Sequence, residues 1–126
     1  NIITTSKGDE QKSLRTHQQM AEYYATLDWF LVTSSTEGTS NSLLESHSVG
    51  VPAIATKVGN IPEIMQEGID GFYAKPKLGS FIESIEKIKS IKQEDYQKMR
   101  IAARKNIEPW DWKYKQKAWV DFLLEN

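Results

Sequence analysis

Two glutamates, Glu37 and Glu45, flank a run of small polar residues, Gly38-Thr39-Ser40-Asn41-Ser42, that leads into Leu43-Leu44. Carboxylates accept hydrogen bonds from sugar hydroxyls, and a glycine lets backbone come close to a ligand. The first amides of a helix have no partners inside it, and with the helix dipole they can hold a diphosphate. Glu37 sits before the helix and Glu45 about one turn inside it, on side chains that lean toward the amino end. Both carboxylates could therefore face one bound molecule. Two other readings fit the same residues. Ser42 and Glu45 satisfy a capping box, with Glu45 folding back onto the backbone of residue 42. A carboxylate pair could also serve a glycoside hydrolase, although a glutamate at a helix start beside a phosphate-type loop suits donor binding better.

The elements that must position this stretch alternate between helix and strand patterns. Residues 17–26 are good helix formers that place Met20, Tyr23 and Tyr24 on one side. In residues 27–33, Trp29, Phe30, Leu31 and Val32 run together as in a strand buried on both faces. A helix fits residues 41–49, ended by Gly50. Residues 52–56 read as a second buried strand, residues 62–66 as a short helix closed near Gly68, and residues 71–74 as a third strand. Residues 2–5 are a candidate fourth. From Leu78 the pattern is helical only, over about residues 78–90, 93–106 and 110–124, with Phe81, Ile85 and Ile88 sharing a face of the first. Strands alternating with helices predict an α/β, Rossmann-like parallel sheet flanked by helices. The Glu37 loop then lies at the carboxyl end of a strand, where open parallel sheets bind ligands.

Composition narrows the classes. A chain of 126 residues with 39% hydrophobic content makes one compact domain. No run of about twenty apolar residues and no charged-then-apolar leader is present, so a cytoplasmic or peripheral location is expected. With no cysteine and only His17 and His47, no metal site is expected. Residues 1–74 hold four Lys/Arg against nine Asp/Glu, whereas residues 75–117 hold twelve against six. That basic half reads as solvated helix faces or as an attraction for anionic lipid or phosphate. No nucleic-acid partner is expected, because the basic residues lie on helical patterns with no glycine-aromatic module between them. The opening at Asn1 without an initiator methionine, with few strands, implies a piece of a longer protein.

At these residues the chain resembles the group 1 retaining glycosyltransferases of GT-B fold. Their signature has two glutamates separated by seven residues, the spacing of Glu37 and Glu45. Asp28 with the apolar strand before Ser34, Glu37-Gly38, and Leu43-Leu44-Glu45 are similar to successive parts of that signature. Gly50-Val51-Pro52-Ala53-Ile54-Ala55-Thr56 resembles its Gly-x-Pro strand, Gly59-Asn60-Ile61-Pro62-Glu63 its Gly-Gly-x-Pro-Glu loop, and Gly68 with Gly71 its Gly-x-x-Gly turn. Trp110 and Trp112 before a last helix are similar to the family's ending. The resemblance runs over residues 20–76.

The resemblance implies that residues 1–126 are part of a carboxyl-terminal donor-binding domain, with the amino-terminal acceptor domain outside this chain. Glu37 would contact donor-sugar hydroxyls near the reacting carbon and count as catalytic; Glu45 would hold the ribose hydroxyls. The amides of Gly38, Thr39, Ser40, Asn41 and Ser42 would cradle sugar and diphosphate, with Gly59, Asn60 and Glu63 nearby. Transfer would retain anomeric configuration and need no cofactor and no bound metal, the nucleotide-diphosphate sugar being substrate. Lipid-linked or cell-surface glycan acceptors, polysaccharide biosynthesis and peripheral membrane association of the full-length protein are the implied setting, and the fragment alone is expected to be inactive. The sequence departs from the family in Glu45-Ser46-His47-Ser48-Val49-Gly50, where Glu-Ala-Met-Ala-x-Gly is common, so His47 is either a packed helix residue that finds a partner or a functional one. It also departs at Asn60, which replaces the loop's second glycine and tolerates left-handed backbone. Glu63 serves its helix's amino end or the donor. His17, with Arg15 nearby, is an exposed helix start or approaches the base or phosphate. Trp110, Trp112, Tyr114, Trp119 and Phe122 are expected in core and interdomain packing. A nucleotide-sugar epimerase of the same architecture and a non-catalytic nucleotide-sugar-binding module remain alternatives.

Overall fold

The computed structural model describes residues 2–3 and 16–125; Arg15, Thr4 and Thr5 lie outside them. Four strands, β1 (Ile2–Ile3), β2 (Trp29–Val32), β3 (Ala53–Thr56) and β4 (Gly71–Ala74), pair in chain order, every pair parallel. Parallel neighbours need crossover connections. Helix α1 (His17–Ala25) precedes β2, α2 (Asn41–Ser48) links β2 to β3, and the short α3 (Ile61–Ile64) links β3 to β4. Helices α4 (Leu78–Lys89), α5 (Gln93–Asn106) and α6 (Trp112–Glu125) follow, with a single 3-10 turn, Glu108–Trp110, before α6.

Every residue of β2 and β3 is buried, and their alternation feeds two cores. Phe30, Val32, Ala53 and Ala55 face Tyr24 of α1, Leu43 of α2 and Ile61 and Ile64 of α3. Trp29, Leu31 and Ile54 face the opposite way and pack with Phe72, Phe81 of α4 and Met99 of α5. A side chain as fully buried as Phe30 or Leu43 contributes roughly 1.5–3 kcal/mol. The alanines of β3 leave room for the larger residues of α2 and α3. As the helical pattern requires, Ile85 and Ile88 pack beside Phe81.

Helix α2 ends where Gly50 adopts φ +75°. Its amide bonds His47 O at 2.9 Å and the Val51 amide bonds Ser46 O at 3.0 Å, so the last carbonyls are satisfied. Arg100 Nε of α5 donates to Gly50 O at 3.0 Å, fastening that corner to the next layer.

The aromatic tail differs from its expectation. Trp110 packs against the first core, but no residue of α6 is buried: Trp112, Tyr114, Trp119 and Phe122 are all more than half exposed. The physical reason is topological, because α6 leaves the body of the domain through the 3-10 turn and has no sheet beneath it.

His47 is satisfied at one ring nitrogen, while the other is buried without a hydrogen bond among the described residues. It is wholly buried; Nδ1 lies 3.1 Å from Val51 O, and Nε2 faces Asp70 Oδ2 at 3.9 Å. Asp70, also wholly buried, accepts from the Gln66 amide at 2.7 Å and from Asn106 Nδ2 at 2.7 Å. The two bonds of Asp70 tie the turn before β4 to α5, and His47 of α2 is buried against them. Burial lowers the His47 pKa, opposed by the Asp70 charge and by the hydrogen bond to Val51 O. Below about pH 6.5 the unfolded chain therefore takes up a proton that folded His47 still refuses, and stability is lost as the pH falls. We expect the urea midpoint to drop between pH 7 and pH 5 in the native chain, and to drop less in His47→Met, which keeps the volume without the titrating group.

Candidate donor site

The loop after β2 and the loop after β3 emerge at the same sheet edge because the strands are parallel. Thr56, the last residue of β3, donates its hydroxyl to Ser34 O at 2.5 Å and so anchors the start of the first loop. Ser34 Oγ in turn donates to Glu37 Oε1 at 2.6 Å, which fixes the half-buried carboxylate. Each step places Glu37 from the sheet outward.

The two loops are also locked face to face. Gly59 has φ +54°, and a Cβ built on it would stand 2.5 Å from Glu37 O and 2.7 Å from Gly38 O. The Asn60 amide donates to Gly38 O at 3.1 Å, and Asn60 Oδ1 accepts from the Ser40 amide at 3.2 Å. Asn60 itself has φ −89°, so the left-handed residue is Gly59 alone, and Asn60 instead contributes a side-chain bridge that a second glycine could not make.

Ser40 is the N-cap of α2, but its side chain makes no capping hydrogen bond. Its hydroxyl is buried and has no partner within the described residues. The capping box on Ser42 and Glu45 does not form: Ser42 lies inside the helix, half-buried, and Glu45 is exposed. Asn41 bonds Thr39 O through its amide at 3.1 Å, while the Asn41 and Thr39 side chains are exposed. Around Gly38 a built Cβ meets nothing within 4 Å, so the loop borders open space. The helix's positive end thus opens beside a buried hydroxyl, a constellation suited to an anion.

Of the residues singled out from sequence, Glu37, Gly38, Ser40, Gly59 and Asn60 form one bonded cluster, with Thr39, Asn41 and Ser42 on the same stretch. Glu63 is exposed in the first turn of α3, where its charge favours the amino end; its backbone amide donates to Asn60 O at 3.0 Å. Glu45 lines a cleft of about 190 Å³ between α1 and α2, with His17, Tyr24 and Ser48. His17 therefore reaches the same cleft as Glu45 from an exposed helix start. Larger depressions of 580 and 610 Å³ flank α5, away from these loops. We assign the site by the converging polar groups and not by volume.

Three residues of this architecture carried no functional signal in the sequence. Thr56 reads as the end of a buried strand, Asp70 as part of a glycine turn, and Tyr24 as an apolar helix position. Burial raises the Tyr24 pKa well above the ordinary tyrosine range, with the charge of Glu45 and its hydrogen bond adding to the effect.

A parallel α/β layer with two interlocked glycine loops at the carboxyl ends of its strands is a Rossmann-like ligand-binding domain. The chain belongs to the glycosyl transferases group 1 family, whose model matches residues 8–106. It is 31% identical over 100 residues to the sulfoquinovosyl transferase of Arabidopsis thaliana, covering 75% of this chain and 19% of that protein. Its fold matches sucrose-phosphate synthase from Thermosynechococcus elongatus with a TM-score of 0.77 at 19% identity, covering 87% of this chain and 28% of the other. It also matches Anabaena HepE, solved in complex with UDP-glucose, with a TM-score of 0.78 at 18% identity, covering 89% and 31%. The chain thus spans about a fifth of the length of that curated relative. Among the described residues no helix is long and apolar enough to cross a membrane, and no group of three or more His, Cys, Asp or Glu could hold a metal ion.

The interlock makes a specific expectation. Gly59→Ala should lower stability by more than Gly68→Ala in urea denaturation: both glycines have positive φ, which costs an alanine roughly 1–2 kcal/mol, but only Gly59 also meets backbone. Amide NMR shifts in Gly59→Ala should concentrate at Glu37 and Gly38. Equal losses at the two positions would mean that the loops do not depend on this contact.

Proposed function

We propose that this chain is part of the carboxyl-terminal donor-binding domain of a GT-B glycosyltransferase that moves a sugar from a nucleotide-diphosphate donor to a glycan or lipid-linked acceptor with retention of configuration. The single observation that carries the reading is the uncapped start of α2, where the buried, unpartnered Ser40 hydroxyl lies beside the interlocked Glu37–Gly38 and Gly59–Asn60 backbones. In this reading the amides from Gly38 to Ser42 and the positive end of α2 receive the diphosphate, charge compensation coming from protein groups without a metal. Glu37, oriented by Ser34, accepts hydrogen bonds from donor-sugar hydroxyls near the reacting carbon. Glu45 holds the ribose, and the cleft toward His17 takes the base. Gly59 and Asn60 shape the floor, with Glu63 at its margin. The departing phosphate assists deprotonation of an acceptor bound by an upstream domain, against which the exposed aromatic face of α6 packs. A peripheral position at the inner face of a membrane suits a lipid-linked acceptor. The relative solved with UDP-glucose supports a nucleotide-sugar donor.

The test is made in the full-length enzyme, with UDP-, GDP- and ADP-sugars assayed for product and for anomeric configuration. Glu37→Gln should lower kcat and Glu45→Ala should chiefly weaken nucleotide affinity. Each change should be roughly 10- to 100-fold, the worth of a hydrogen bond to a charged group at about 1.5–3 kcal/mol. Wild-type kinetics in both variants would defeat the residue assignment. An isomerised donor without a new glycosidic bond would replace transferase by epimerase.

A further inference from the structure

Glu45 is exposed on α2, and an exposed carboxylate on a helix has several rotamers available to it. Tyr24, on the facing helix α1, has no such freedom. It is 2% exposed, and its ring meets Phe30 of β2 edge to face with centroids 5.4 Å apart and Tyr23 likewise at 5.7 Å. Tyr24 also lines the cleft between α1 and α2 that Glu45 lines. A rigid ring anchored in the first core thus borders a cleft whose other wall carries the Glu45 carboxylate.

We infer that Tyr24 is a positioning residue for Glu45: its core-anchored hydroxyl donates a hydrogen bond that selects the carboxylate rotamer from which Glu45 engages a ribose diol. The inference rests on the donor-site reading of Glu45. Burial keeps the phenol protonated throughout the working pH range, so it always donates and leaves the second carboxylate oxygen to the ligand. Preorganisation of this kind raises affinity by removing an ordering cost that would otherwise fall on binding. It also explains why a tyrosine stands at a place in the helix where a phenylalanine would fill the core equally well.

The experiment uses the 126-residue chain and UDP, GDP and ADP as probes, with dissociation constants from calorimetry for the native chain, Tyr24→Phe, Glu45→Ala and the double variant. Tyr24→Phe retains the ring and should leave the thermal midpoint near the native value while weakening binding roughly three- to tenfold, the scale of one net hydrogen bond. In the double variant the loss should be no greater than in Glu45→Ala alone, because the hydroxyl acts through the carboxylate. Additive losses, or native affinity in Tyr24→Phe alongside weakened Glu45→Ala, would overturn the positioning role while leaving the donor site standing. Native affinity in Glu45→Ala would overturn the donor-site reading itself. The contact is tested independently of any nucleotide by the NMR shift of Tyr24 Cζ, which should move in Glu45→Gln more than the Cζ shifts of Tyr73 and Tyr96; an unmoved Tyr24 resonance would overturn the inference whatever the probes do.

Discussion

Parallel pairing of β2 with β3 is the constraint from which the site follows. Phe30 opposite Ala53, Leu31 opposite Ile54 and Val32 opposite Ala55 fix the register, and the register brings Ser34 within reach of the Thr56 hydroxyl. A slip of one residue would exchange the two cores and carry the loops past one another. Because the strands run the same way, both loops must open at one edge, and the crossover helix between them must present its amino end there. The positive end of α2 is thus placed by sheet topology before any side chain is considered.

Within that frame, the loops are held by backbone contact and not by side-chain bulk. Gly59 lies where any Cβ would enter the Glu37 and Gly38 carbonyls, and Asn60 binds one loop to the other through both its amide and its side chain. Such an arrangement leaves the surface above Gly38 open while keeping the amides beneath it fixed. A site that binds by preorganised dipoles needs that combination, since reorientation during binding would cost what the dipoles supply. Behind the site, Asp70 joins the turn before β4 to α5 by hydrogen bonds from the Gln66 amide and Asn106, and His47 of α2 is buried against it at 3.9 Å.

The helices divide the labour. Helix α1 supplies Tyr24 to the core and His17 to the rim of the cleft, α2 supplies the amides and Glu45, and α4 and α5 close the opposite face of the sheet. Helix α6 stands apart. Its exposed Trp112, Trp119, Phe122 and Leu123 show that apolar content alone does not put a helix into a core; an apolar face needs a second surface opposite it.

The sequence by itself determined the order and kind of the elements, because hydrophobic periodicity, the apolar strand runs and the terminating Gly50 are local properties of the chain. It also marked Glu37, Gly38, Glu45 and Gly59, since a carboxylate pair around a small polar loop and a glycine before a short helix are recognisable without coordinates. Only the tertiary structure decided what each polar residue meets. The Ser42–Glu45 capping box failed because α2 begins at a different cap, Ser40, whose amide Asn60 bonds across from the next loop. Asn60 turned out to be a bridge instead of a left-handed residue, His47 came to lie against Asp70, and Tyr24 came to line one cleft with Glu45. Each of those partners lies on a different element, and their meeting depends on strand register and crossover geometry, which local sequence pattern does not contain.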